Sequence, residues 1–193
     1  DNSYRQPGTT TFVLDTSGSM EGERIASLKD IMHSLIDGSA STLTGDVSLR
    51  DRENVTLQSF DSRPNDPVTA RFSHEDPAAA TELTNYVDGL SASGSTAMYQ
   101  TLLEALRKTD PAGGIPSIVL LSDGQDTVGP RFSGFKEQYE QLPAAQRSVP
   151  VFVILYGDAS ESEMRELAEL TGGEVFDALG GDLAAAFKEI RGF

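Results

Sequence analysis

The residues of this chain best suited to chemistry are an acid and two hydroxyls at alternate positions, Asp15, Ser17 and Ser19, in the stretch Asp15-Thr16-Ser17-Gly18-Ser19-Met20. One carboxylate and two neutral hydroxyl oxygens are hard ligands, which suit Mg²⁺ or Mn²⁺ and suit soft metals poorly. Gly18 lets the backbone between the hydroxyls turn without a Cβ clash. Read alone, however, such a stretch is more often an ordinary turn or helix cap, because Asp, Ser and Gly dominate both. A second acid, Asp123, follows Ser122 and precedes Gly124. Between the two lies a hydroxyl-rich loop, Ser91-Ala92-Ser93-Gly94-Ser95-Thr96. Its composition suits an anion-binding helix start, but it lacks the first Gly and the Lys of a phosphate loop.

These residues must be positioned by a sheet. Thr11-Phe12-Val13-Leu14 reads as a buried strand, and Ile25, Leu28, Met32, Leu35 and Ile36 after it mark one face of a helix. Asp15 therefore leaves the sheet at the carboxyl end of a strand, the edge where ligands bind in open α/β sheets. Ile115 to Leu121, with its unbroken Ile118-Val119-Leu120-Leu121, reads as a central parallel strand and brings Asp123 to the same edge. Val55–Phe60 and Val68–Phe72 are strands joined by only seven residues, too few for a parallel crossover, so they form an antiparallel hairpin at the sheet edge. Val149–Tyr156 and Glu174–Phe176 complete six strands.

Helices fill the intervals. Asp76-Pro77 caps one whose buried side is Leu83, Tyr86, Val87 and Leu90, and Met98, Leu102, Leu103 and Leu106 line the next. A loop from Gln125 to Phe135 leads to a short helix around Lys136 to Leu142. Ser160-Glu161-Ser162-Glu163 fits a capping box before Met164, Leu167, Ala168 and Thr171, and Gly172-Gly173 stops that helix. Leu183, Ala186, Phe187 and Ile190 face inward on a closing helix. The expected fold is α/β, a doubly wound, mostly parallel six-stranded sheet with one antiparallel edge strand and helices on both faces. Residues 1–9 are expected to be a linker and 10–193 one domain.

Composition narrows the function. Thirty acidic against fifteen basic residues in 193 give a formal charge of −15, which repels phosphate backbones, so nucleic acid is not expected as a partner. The absence of cysteine excludes a disulfide framework, a thiol nucleophile and any thiolate metal site. No apolar run approaches the ~20 residues of a membrane span, so direct membrane insertion is not expected. Because the chain begins at Asp1, it reads as a piece of a longer protein with targeting, anchoring or fused domains elsewhere. His33, beside a helical apolar stripe, and His74, in a polar run, read as surface residues without the partners of a zinc set. The Ser-, Thr-, Asp- and Gly-rich stretch from Gly38 to Asn54 reads as a solvated excursion at the end of the sheet away from Asp15.

Taken in order, Asp15-x-Ser17-x-Ser19, Thr96 and Asp123 resemble the metal-ion-dependent adhesion site of von Willebrand factor type A domains. The flanking Val13-Leu14, Met20, Gly94-Ser95 and Leu120-Leu121-Ser122 agree with that resemblance, which spans the chain from Thr10 onward. It implies the doubly wound sheet with one antiparallel edge strand. It also implies that Ser17 and Ser19 bind a cation directly, Thr96 directly or through water, and Asp15 and Asp123 directly or through bound water. Mg²⁺, with Mn²⁺ as substitute, would then capture a Glu or Asp from a protein partner. One departure is Ser93-Gly94-Ser95-Thr96, where many members have Gly-Gly-Thr, so that Ser95 offers a hydroxyl competing with Thr96.

A looser similarity, carried by Asp123-Gly124-Gln125-Asp126-Thr127, Tyr156-Gly157-Asp158 and Gly172 to Asp177, is to bacterial, often actinobacterial, envelope proteins. It implies an extracytoplasmic location in the cell envelope. Asp61, Asp126 and Asp158 are expected to surround the site as a partner-binding rim or simply as a solvated acidic face. Phe132 either anchors an interface or tucks under its loop. In related domains the closing helix can slide, which would give Leu183, Phe187 and Ile190 a second packing position.

Binding is favoured over catalysis. Two carboxylates leave a divalent cation close to neutralised yet electrophilic, with a coordination position for an outside carboxylate. An aspartyl-phosphate phosphatase needs a second acid where Ser17 stands, and Gly89-Leu90-Ser91-Ala92-Ser93 fails the G-x-S-x-G pattern at its last position. Metal-assisted hydrolysis lacks an evident base. The other alternative is a metal-free structural or interaction module in which the motif only caps helices.

Overall fold

The chain's apolar runs become the strands of one sheet in a computed structural model, which describes residues 8–37, 48–110, 112, 114–180 and 183–190. The strands are β1 (Gly8–Asp15), β2 (Asn54–Phe60), β3 (Val68–Arg71), β4 (Ile115–Ser122), β5 (Val151–Leu155) and β6 (Val175–Asp177). They lie in the order β3-β2-β1-β4-β5-β6. Every pairing is parallel except β2 with β3, where Val55 faces Ala70. The central strand β1 is paired on both sides, Val13 lying between Gln58 of β2 and Leu120 of β4. The short hairpin thus forced the one antiparallel strand, as its loop length requires.

Among the described residues seven helices cover the sheet: α1 (Glu23–Asp37), α2 (Pro77–Asp88), α3 (Met98–Lys108), α4 (Phe132–Glu140), α5 (Ala144–Arg147), α6 (Glu161–Thr171) and α7 (Leu183–Ile190), with a 3-10 turn at Gly18–Met20. Alternation along the strands divides the core into two layers. Phe12, Leu14, Val119 and Leu121 point into one, with Leu28 and Leu35 of α1, Leu83 of α2 and Phe187 of α7. Val13, Ile118 and Leu120 point into the other, with Leu102 of α3, Phe135 of α4 and Leu167 of α6. The fold is the doubly wound α/β arrangement with helices on both faces. Among the described residues no helix is long and apolar enough to cross a membrane.

Several local expectations need correction. β1 begins at Gly8, two residues inside the stretch expected to be linker. Residues 38–47 of the excursion lie outside the described residues; of 48–53, Asp51 and Arg52 are exposed as expected, whereas Leu49 and Glu53 are buried. Leu49 is fully buried with its N–H on Leu35 O, and Glu53 accepts 2.7 Å from Thr10 Oγ1. These contacts lie at the start of β1, the end away from Asp15.

Helix α4 begins at Phe132, not Lys136. The spacing Phe132, Phe135, Tyr139 brings three rings to one face, and Tyr99 of α3 packs against the first two, so aromatic burial extends the helix backwards. The capping box before α6 does not form, because Ser160 makes no side-chain cap bond and Glu163 instead accepts 2.5 Å from Tyr99 Oη. By contrast Asp76 caps α2 as expected, accepting from Ala78 N–H at 3.0 Å with Pro77 in first position. His33 and His74 sit at the surface, each 2.7 Å from a carboxylate, Asp88 and Asp51 respectively.

Candidate functional site

Asp15 ends β1 with no exposed surface. Its Oδ1 accepts from Ser17 N–H at 2.9 Å and Ser17 Oγ at 2.6 Å, and its Oδ2 accepts from Ser122 Oγ at 2.7 Å. Burial pushes the Asp15 carboxyl above the ordinary range; the Ser17 and Ser122 hydrogen bonds oppose that shift, while the charge of Asp123 adds to it. Ser17 is buried and its Oγ lies 3.3 Å from Ser19 Oγ, which opens to solvent.

The loop carrying these groups is fastened to both neighbours. Thr16 donates from N–H and Oγ1 to Phe60 O at the end of β2, and Gly18 N–H donates to Gly94 O at 2.9 Å. A Cβ on Gly18 would lie 3.3 Å from that same oxygen. Glycine there eases the close approach of two loops, whereas the turn itself, without a positive φ, does not call for it.

The hydroxyl loop is held as firmly. Gly94 adopts φ +82°, which strains any other residue, and a Cβ there would displace Ser62 Oγ, 2.9 Å away. Ser95 is exposed and Thr96 is buried, which separates the two candidate hydroxyls. Thr96 N–H donates to Thr127 Oγ1 at 2.8 Å, and its carbonyl accepts from the N–H groups of Thr127 and Val128.

Asp123, 1% exposed, follows the end of β4. Its Oδ1 accepts from Gln125 N–H at 3.1 Å, and Oδ2 pairs with Arg24 Nη1 at 3.2 Å. The sequence reading missed Arg24. Its only signal is a cation in the first turn of α1, where the helix dipole disfavours one. Ser122 was also missed as a partner of Asp15, although it adjoins Asp123.

The four residues expected at the rim differ in role. Asp126 is not a free acid: its Oδ1 accepts from Met98 N–H at 3.0 Å and Tyr99 N–H at 3.3 Å, capping α3, whose own Ala97 offers no side-chain cap. Burial pushes Asp126 up to about 6, and Glu163 adds to the shift, while those two N–H groups and Arg131 pull it down. Phe132 tucks under its loop, half-buried, with ring centroids 5.7 Å from Tyr99 and 6.3 Å from Phe135. Asp61 is half-buried and its carbonyl accepts from Ala97 N–H at 2.7 Å. Asp158 alone of the four is exposed.

Among the described residues no three His, Cys, Asp or Glu side chains gather into a metal cluster. Any cation at this edge would therefore depend on hydroxyl oxygens beside Asp15 and Asp123.

Comparison with known proteins places this arrangement. Residues 10–176 match the family model of the von Willebrand factor type A domain. Inter-alpha-trypsin inhibitor heavy chain H4 of Homo sapiens is 29% identical over 131 residues, which are 64% of this chain and 13% of that protein. The chain thus spans a small part of the curated relatives it matches. Among solved structures, a von Willebrand factor type A protein from Catenulispora acidiphila superposes with a TM-score of 0.72 at 23% identity, over 95% of this chain and 42% of its own. The vWF domain of the type V pili tip protein Mfa5 from Porphyromonas gingivalis superposes with a TM-score of 0.63 at 12% identity, over 97% and 95%. At those identities the two structures share the fold. With the family match covering most of the chain, from β1 into β6, this protein belongs to the von Willebrand factor type A domain family.

Proposed function

We propose that this domain captures an acidic residue of a partner protein through a divalent cation, Mg²⁺ or Mn²⁺, held by Asp15, Ser17, Ser19, Thr96 and Asp123. The observation that carries this reading is a pair of buried carboxylates, Asp15 and Asp123, at the ligand-binding edge of adjacent central strands. Buried charges need a counter-charge. Among the described residues their one side-chain cation is Arg24, which pairs with Asp123 and not with Asp15.

The donor set fits a hard cation: two carboxylates and hydroxyls, without nitrogen or sulfur. With so few anionic ligands a cation keeps positive character, and the six oxygens Mg²⁺ prefers leave room for an outside carboxylate. Without a cation, a domain of charge −15 would repel such a partner. The pilus-tip neighbour supports an adhesive role and a location outside the cytoplasm, in a bacterial envelope. Among the described residues both histidines pair with surface carboxylates away from the site, which supports binding as the reading over hydrolysis. One observation favours a metal-free module instead: Ser17, Ser122, Gln125 and Arg24 already satisfy both carboxylates.

Calorimetric titration of Mg²⁺ and Mn²⁺ into the wild type and Asp123→Ala separates these readings. The wild type is expected to bind and the variant to bind at least tenfold more weakly. A cation at about one hundred times its Kd adds about 2.7 kcal/mol to stability, raising Tm by roughly 5–10 °C, and EDTA should reverse it. Equal binding by both proteins, or none by either, rejects the site.

A further inference from the structure

We infer that Arg24 sets the charge of the proposed cation site, opposing the cation alone and favouring the cation together with a partner carboxylate. The inference rests on the cation-dependent reading above and concerns a residue outside the ligand set. Arg24 Nη1 lies 3.2 Å from Asp123 Oδ2, joining α1 to the end of β4 across 99 residues of sequence. The carboxylate is 1% exposed and the guanidinium side chain 35%, so the pair sits at the mouth of the site and not in the core.

Two features show that the fold accommodates this cation at some cost. Arg24 stands in the first turn of α1, where the positive end of the helix dipole disfavours a positive charge. The other side of its guanidinium lies against Gly157, which follows Tyr156 at the end of β5. A Cβ at Gly157 would come within 2.9 Å of Arg24 Nη2, and the residue adopts φ +79°. Glycine at this position leaves the space that the guanidinium fills.

The charges decide the consequence. Asp15, Asp123 and Arg24 sum to −1; a divalent cation brings the group to +1, and one partner carboxylate brings it to zero. Without Arg24 the same three states are −2, 0 and −1. Arg24 therefore weakens attraction for the cation and turns the loaded site from neutral to positive, in a domain otherwise strongly negative. Cation and carboxylate reinforce each other reciprocally with or without Arg24; Arg24 weakens the first step and strengthens the second. The fork of the guanidinium also keeps Asp123 Oδ2 oriented, which a lysine would do less well.

The test uses Arg24→Met and Arg24→Lys with two probes: Mg²⁺ followed by calorimetry, and acetate added to Mg²⁺-saturated protein followed by amide NMR shifts. Arg24→Met is expected to bind Mg²⁺ about tenfold tighter and acetate about tenfold more weakly, while Arg24→Lys retains most of the wild-type acetate affinity. Melting in EDTA should show Arg24→Met less stable than wild type, with the gap closing as Mg²⁺ is added. If Arg24→Met and Arg24→Lys lose affinity for Mg²⁺, or leave both probes unchanged, Arg24 only packs and the inference fails while the cation reading stands. If acetate binds wild type equally in EDTA, the guanidinium itself is the receptor, which also overturns it. If wild type binds no Mg²⁺, the cation reading fails and takes this inference with it.

Discussion

Ser122 Oγ donates to Asp15 Oδ2 at 2.7 Å, tying the end of β4 to the end of β1 across 107 residues of chain. The same oxygen accepts from Gly124 N–H at 2.9 Å, so Ser122 relays the turn after β4 onto the buried acid. Ser122→Ala leaves Oδ2 without its donor in a place water does not reach. A loss of about 1–3 kcal/mol is expected from that unsatisfied group. Urea unfolding in EDTA measures it, and an unchanged midpoint would mean that Asp15 finds another donor.

Asp126 predicts a pH dependence that the acidic surface as a whole would not. Its carboxyl is pushed from 3.8 up to about 6, first by burial, so the folded protein holds its proton more tightly than the unfolded chain. The stabilising contribution is complete below about pH 4 and is lost as pH rises through about 6. Asp126→Asn keeps an oxygen for the N–H groups of Met98 and Tyr99 without the charge. Relative to wild type, this variant should gain stability between pH 4 and 6 and then hold that gain. Parallel stability curves would remove Asp126 as the source.

Among the described glycines, Gly173 has the least room for a side chain. A Cβ there would fall 1.9 Å from Val151 O, whereas one at Gly172, with φ +84°, meets nothing within 4 Å. Gly173→Ala must push β5 away from the end of α6 and should cost more than the ~1–3 kcal/mol of ordinary overpacking. Gly172→Ala should cost about 1–2 kcal/mol for its left-handed conformation alone. Thermal unfolding of the two variants side by side checks the order.

Helix α7 tests whether the site is coupled to the helix layer that α1 and α7 share. Ile190 and Phe187 are buried in the layer that also holds Leu14 and Leu121. Ile190→Ala should lower stability by about 2 kcal/mol, the low end for core truncation, since the side chain lies near the end of the helix. If α7 has a second docking position linked to the proposed site, the variant also tightens partner capture. Lower stability with unchanged affinity makes α7 packing only.

The sequence by itself determined what depends on near neighbours and on period. Alternating and unbroken apolar runs specify which segments are strands and that Ile118 to Leu121 is buried on both faces. A seven-residue connection leaves β2 and β3 no choice but to run antiparallel. The local turn in which Ser17 bonds Asp15 closes within two residues, so its chemistry is legible in Asp-x-Ser. Tertiary structure alone decided the long-range partners. Arg24 meets Asp123, Asp126 caps α3, Glu163 turns from its expected cap to Tyr99, Leu49 is buried under α1, and Phe132 joins an aromatic cluster. In each case the competing local arrangement was available to the chain. At the Asp15 edge it lost because loops from distant strands converge there, where burial makes unpaired polar groups costly and rings worth covering; at the opposite edge it lost because Leu49 gains more from burial than from solvent.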